Sequence, residues 1–102
     1  MTNPRNINQT INYQESSIVS KEIVNKPTGT ITLFAFDKGQ KLSEHTTPYD
    51  AFVTVIEGKA EIIVSSIKYD VKAGEMLLIP ASAPHALKAI QPFKMILIMI
   101  KS

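Results

Sequence analysis

The chain has 102 residues, a net charge of +2, 44% apolar and 20% charged residues, and no cysteine. The length allows one domain and the composition places it among soluble globular proteins. Disulfides, thiolate metal sites and a cysteine nucleophile are excluded, and the lysines are scattered with no run of the kind that binds nucleic acid.

Residues 1–14 are polar and asparagine-rich, and are expected to form an arm or a short helical turn ahead of a single domain over 15–102. "SIVSKEIV" and "TITLFAF" read as strands separated by "NKPTG", whose Pro27 and Gly29 mark a turn. "DKG" at 37–39 marks the next turn. "AFVTVIE" and "KAEIIV" are split by Gly58, which predicts a tight hairpin. A turn at Ser65 and Ser66 precedes "IKYDV", "KAGE" at 72–75 precedes "MLLI", and "PASAP" at 80–84 is a proline-bracketed corner. "HALKAI", "QP" and "FKMILIMI" complete the series. Many short strands without a long amphipathic helix predict an all-β sandwich or barrel of antiparallel strands.

The opening "MTNPRNINQT" has no apolar core of signal-peptide type, and the longest apolar run, "MILIMI" at 95–100, is too short to span a bilayer. The absence of cysteine agrees with a reducing compartment. A cytoplasmic protein without membrane or nucleic-acid partners is the expectation. In "AFVTVIE", Ala51, Val53 and Val55 share one face, and Phe52, Thr54 and Ile56 the other. In "MILIMI" both faces are apolar, so the outside of that strand must also be covered, by the N-terminal segment or by a second copy. A chain this short has little material to cover itself, which favours a homodimer.

Two spacings carry chemistry. Gly39 is followed by five residues and His45, then by Thr47, Ala51 and Gly58. Gly74 is followed by five residues and Pro80, then by Ser82, His85 and Ala89. The chain thereby resembles the cupin superfamily, in its small single-domain conserved-barrel form, over roughly residues 30–100. The family's first motif places two histidines, a glutamate and a closing glycine at the positions of His45, Thr47, Ala51 and Gly58. The second places a glycine, a histidine and an asparagine at Ser82, His85 and Ala89. The resemblance implies a double-stranded β-helix, or jelly-roll, barrel with a divalent metal (iron, manganese, nickel or zinc) and a small-molecule ligand at one end.

Of the usual four ligands only His45 and His85 are kept, and catalytic sites generally supply three protein ligands. Asp50, one residue before the family's glutamate position, is the candidate third ligand if a bulge near Pro48 turns it inward. Its other role is to cap the turn after Pro48. His45 and His85 themselves admit three roles: metal ligands, hydrogen-bonding groups of a metal-free pocket, or packing residues. Thr47 and Ala51 fall at the pocket, and Phe34, Phe36, Met76, Met95 and Met99 either line it or fill the core. Ser82 beside His85 has no third partner and reads as a turn residue rather than a nucleophile. Three functions follow: a binding cupin, a metal-dependent dioxygenase or isomerase using the same pocket, and a metal-free dimeric sensor or scaffold.

Overall fold

Runs of β-branched and aromatic residues, each stopped by glycine, proline or serine, become nine strands in the computed structural model, which describes residues 3–102. They are β1 (Ile18–Lys26), β2 (Gly29–Phe36), β3 (Lys41–His45), β4 (Asp50–Glu57), β5 (Lys59–Val64), β6 (Ile67–Lys72), β7 (Met76–Ile79), β8 (His85–Lys88) and β9 (Phe93–Ile100). One sheet has the order β1-β2-β9-β4-β7 and the other β3-β8-β5-β6, and every pairing is antiparallel. The result is all-β, as the strand pattern predicts, and a jelly-roll barrel, as the resemblance implies.

The core lies between the sheets and follows the two-residue period of a strand. On β4, Ala51, Val53 and Val55 face inward; on β9, Phe93, Met95, Leu97 and Met99 do so. At one end of the barrel Phe36 and Phe93 stack, with ring centroids 4.5 Å apart and planes at 15°. At the other end β3 finishes at His45 while β4 and β8 begin at Asp50 and His85. We call these the phenylalanine end and the histidine end.

Gly58 does not make a hairpin. β4 and β5 belong to different sheets, and Gly58 is the corner where the chain crosses between them. Its φ is 75°, and a Cβ there would collide with the Pro92 carbonyl oxygen and with Phe93. Glycine is demanded by backbone crowding as well as by the dihedral angle. The two-residue hairpin loops lie elsewhere. Pro27–Thr28 joins β1 to β2, and Ser65–Ser66 joins β5 to β6 with φ of 49° and 70°. Positive φ at both central residues matches the twist of the strands it connects.

Met76, expected at the pocket or in the core, lies outside the barrel interior, as does Leu78. Their partners on β4 are Thr54 and Phe52, which face outward, so Met76 and Leu78 are 58% and 56% exposed. Leu77 and Ile79 take the inner face instead.

The apolar outer face of β9 is covered in part by the chain's own arm. Residues 3–14 hold a 3-10 turn, Ile7–Gln9, capped by the Asn6 side chain accepting from the Asn8 N–H. The arm lays Ile11 and Tyr13 on Leu33, Ala35, Val19 and Ile96. Burying Ile11 contributes about 1.5–3 kcal/mol. A polar clasp holds it there: Tyr13 donates to Glu57, and Lys94 Nζ donates to the Asn8 carbonyl at 2.6 Å. Residues 1 and 2 of the expected arm lie outside the described residues. Among the described residues, no helix is long and apolar enough to cross a membrane.

Candidate functional site

The histidine end is built by an irregular strand pair. Leu42 faces Leu87 and His45 faces His85, so three steps along β3 match two along β8. The extra residue is a bulge. Leu42 packs on the core, and plain alternation from it would turn Glu44 inward and His45 to solvent. The bulge restores His45 to the side of Leu42. His85 shares its face with core residues Leu87 and Ala89 and is only 6% exposed, whereas His45 stands at the exposed rim. The two rings meet with centroids 4.2 Å apart and planes at 60°.

Both rings are oriented in the same way. His45 Nδ1 lies 2.7 Å from the Ser43 carbonyl, and His85 Nδ1 lies 2.9 Å from the Ala83 carbonyl. A carbonyl only accepts, so in the neutral ring each Nδ1 carries the proton and donates it there. Each Nε2 is then left with a lone pair and no proton. The pair, its rings in contact, presents two acceptors to whatever binds against it.

The surrounding corners are tied together. Thr47 Oγ1 donates to the Tyr49 carbonyl at 3.1 Å, and the Thr47 carbonyl accepts from the Ser82 N–H at 2.8 Å. Asp50 Oδ1 accepts from the Ala81 N–H at 2.8 Å. The register of β4 is unbroken from Asp50 to Val55, so Asp50 lies on the outer face opposite to Ala51. It caps the 80–84 corner across the sheet rather than the turn after Pro48. Ser82, at the family's glycine position, holds φ 67°. Such a value strains a side-chain-bearing residue, which explains why glycine suits that position.

Of the remaining expected pocket residues, Ala51 and Met99 pair side by side at the histidine end. Phe34 packs half-buried against the core. Phe36 and Met95 are fully buried toward the phenylalanine end, with Met95 four positions from Met99 and hence about 13 Å along β9. Thr30 joins the histidine end without having been singled out in the sequence. It pairs with Met99, which pairs with Ala51. Its hydroxyl is buried, with no hydrogen-bond partner among the described residues. The available signal was parity, because Thr30 falls on the same face as Phe34 and Phe36.

The donor set does not fit a resident divalent metal. Among the described residues, no three His, Cys, Asp or Glu side chains are grouped to hold one. Two neutral imidazoles without a carboxylate fall short of the three protein ligands usual for a catalytic ion.

A small jelly-roll barrel with paired histidines at one end is the class of protein that this geometry defines. The cupin domain family matches residues 32–101, and the chain belongs to that family. A conserved protein of unknown function from Streptococcus pyogenes is 33% identical, with a TM-score of 0.95 over 100% of this chain and 90% of that one. A cupin 2 conserved barrel domain protein from Leptotrichia buccalis is 41% identical, with a TM-score of 0.92 over 95% of this chain. The match spans 47% of the Leptotrichia protein, about half its length. A cupin superfamily protein from Desulfitobacterium hafniense is 25% identical, with a TM-score of 0.94 over 100% of this chain and 94% of that one. No curated protein matches the chain.

Proposed function

We propose that this cupin is a binding protein that takes a small molecule rich in hydrogen-bond donors against the paired imidazoles of His45 and His85. The observation that carries the reading is the identical tethering of both Nδ1 atoms to backbone carbonyls, which leaves two acceptors side by side. Hydroxyl or amino groups satisfy such a pair, whereas a carboxylate would meet lone pairs with lone pairs. Apolar Ala51 and Met99 beside it supply a surface for the ligand's carbon skeleton.

The same lone pairs favour a second, weaker occupancy by a divalent cation, with water filling most of its coordination sphere. The metal-dependent dioxygenase or isomerase reading has less support, because Thr47 and Ala51 replace an imidazole and a carboxylate. Metal analysis of desalted protein purified without a histidine tag tests the ranking. Well under one equivalent is expected. A full equivalent that is retained, then lost on replacing both histidines by alanine, overturns it.

The chain also pairs with a second copy in this reading. Val24, Ile31, Ile98, Phe52 and Leu78 form one cross-strand row over the outer face of the five-stranded sheet, beyond the part that the arm covers. Sedimentation at micromolar concentration is expected to give a dimer, and Leu78→Glu a monomer. A monomeric wild type removes this part of the proposal.

A further inference from the structure

The N-terminal arm does not lie flat on the barrel. Between it and the outer face of the larger sheet runs a slot of about 290 Å³, walled by Ile23, Ile31, Leu33 and Ile96 of the sheet and by Ile7 of the arm. The register accounts for the apolar wall. Leu33 pairs with Ile96, and Ile31 with Val24, on the outer face. A bulge in β1 between Glu22 and Val24 leaves Ile23 without a partner and sets it beside Val24 on that face. Ile7 and Ile23 remain 40% and 39% exposed, so the slot is open to solvent.

Arg5 also lines the slot. With Thr10, it is shared with an adjoining groove that Lys21 lines as well. Lys21 stands beside Leu33 in the register. No Asp or Glu lines the slot or the groove, and neither cation belongs to an ion pair among the described residues. An apolar slot thus opens onto two cations that lack a counter-charge. The clasp at Asn8 and Tyr13 pins the arm further along, so the slot is formed before anything enters it.

We propose that this slot binds a small amphipathic monocarboxylate, a short hydrocarbon chain that ends in a carboxylate. The chain lies among the isoleucines, which removes apolar surface from water on both sides. The carboxylate reaches Arg5, whose planar guanidinium offers two parallel N–H donors to two oxygens, and Lys21 adds positive potential. A neutral lipid gains only the first of these contacts, and a cation meets like charge. The volume lies at the bottom of the range of about 300–1,000 Å³ usual for ligand pockets, which suits one short chain rather than a protein segment. The apolar row assigned to a second copy borders the slot at Ile31 but contains no acid, so that copy brings no counter-ion for Arg5. The slot is on the outside of the larger sheet, whereas the histidine pair belongs to the smaller one, so the two sites stand or fall separately.

The test uses octanoate, with octanol as its neutral counterpart. Binding to the full chain is read from the methyl resonances of Ile7, Ile23, Ile31 and Ile96. Octanoate is expected to bind about fivefold more tightly than octanol, the size of one exposed ion pair. Arg5→Gln is expected to remove that preference and leave octanol binding unchanged, whereas a merely structural role for Arg5 would weaken both. Ile23→Glu, which places a carboxylate in the wall at an exposed position, is expected to weaken octanoate about tenfold. The double variant His45→Ala with His85→Ala is expected to bind octanoate as wild type does. No octanoate binding at millimolar concentration, equal affinity for the two probes, or a preference that survives Arg5→Gln overturns the inference. Octanoate shifts that vanish in the double histidine variant would put the probe in the barrel and overturn it too. So would octanoate affinity that falls as protein concentration is raised, which is the mark of a second copy filling the slot.

Discussion

Two clusters of polar groups sit on this barrel, and they treat their hydrogen-bonding capacity in opposite ways. In the clasp under the N-terminal arm, buried Lys94 donates to the Asn8 carbonyl, lies 4.0 Å from Glu57 and stands 5.1 Å from the centre of the Tyr13 ring. Tyr13 donates its own proton to Glu57. The orphan there is Asn8 Oδ1; the charged and phenolic groups are engaged. At the histidine end each imidazole uses one nitrogen to fix its orientation and leaves the other free, and Thr30 uses none of its hydroxyl. The charged and phenolic groups of the clasp find partners within the chain, while the polar groups at the histidine end stay half-used.

That contrast breaks most visibly at Lys94. Lys94→Ala strips Glu57 and the Asn8 carbonyl of their cation and loosens the arm, with an expected loss of about 1–3 kcal/mol in urea unfolding. His45→Ala, at the exposed rim, is expected to change stability by less than about 0.5 kcal/mol while abolishing the ligand binding proposed for the histidine pair. Equal losses in the two variants would erase the distinction.

Tyr13→Phe sharpens the comparison through pH. Burial first, then the hydrogen bond and charge of Glu57, push the Tyr13 phenol above its usual 10. The folded state therefore prefers the protonated phenol more strongly than the unfolded chain does. Its contribution is complete below pH 10 and declines as the pH rises above it, because only the unfolded chain then ionises readily. Wild type is expected to lose stability above pH 10 more steeply than Tyr13→Phe, which itself starts about 1 kcal/mol lower at neutral pH. Parallel curves would mean that the phenol is not held by Glu57.

Ser82→Gly is the smallest expected effect and has the opposite sign. Relieving φ 67° is expected to raise stability by about 0.5–1 kcal/mol, measured by thermal melting, after the entropy of the added glycine is subtracted. No gain would mean that the tie from Ser82 N–H to Thr47, rather than the dihedral angle, limits that corner.

Much of this architecture was legible through the family resemblance that the glycine, proline and histidine spacing carries, which implies the jelly roll and the meeting of His45 with His85. The exceptions share a cause. Gly58 has the positive φ expected of a turn, but corner and hairpin differ only in which sheet the next strand joins, and long-range pairing decides that. "MLLI" is apolar at every position, so its period cannot say that Met76 and Leu78 face outward. The bulge was sought beside Pro48, where it would have turned Asp50 inward, and lies instead in "LSEH", which carries no glycine or proline to mark it. A strand threonine is an ordinary β-former, so Thr30 drew no notice until its hydroxyl was found buried alone.

The odd residue in β3 makes segment length a determinant of the rim's geometry in its own right. Removing either Ser43 or Glu44 would leave every motif residue present yet swing the rim imidazole through half a turn, out of the cup. Replacing either one by a residue of similar size would leave it in place. Among relatives that keep both histidines, a one-residue gap before the first would thus mark a barrel whose two rings no longer meet, however well the rest of its sequence is preserved.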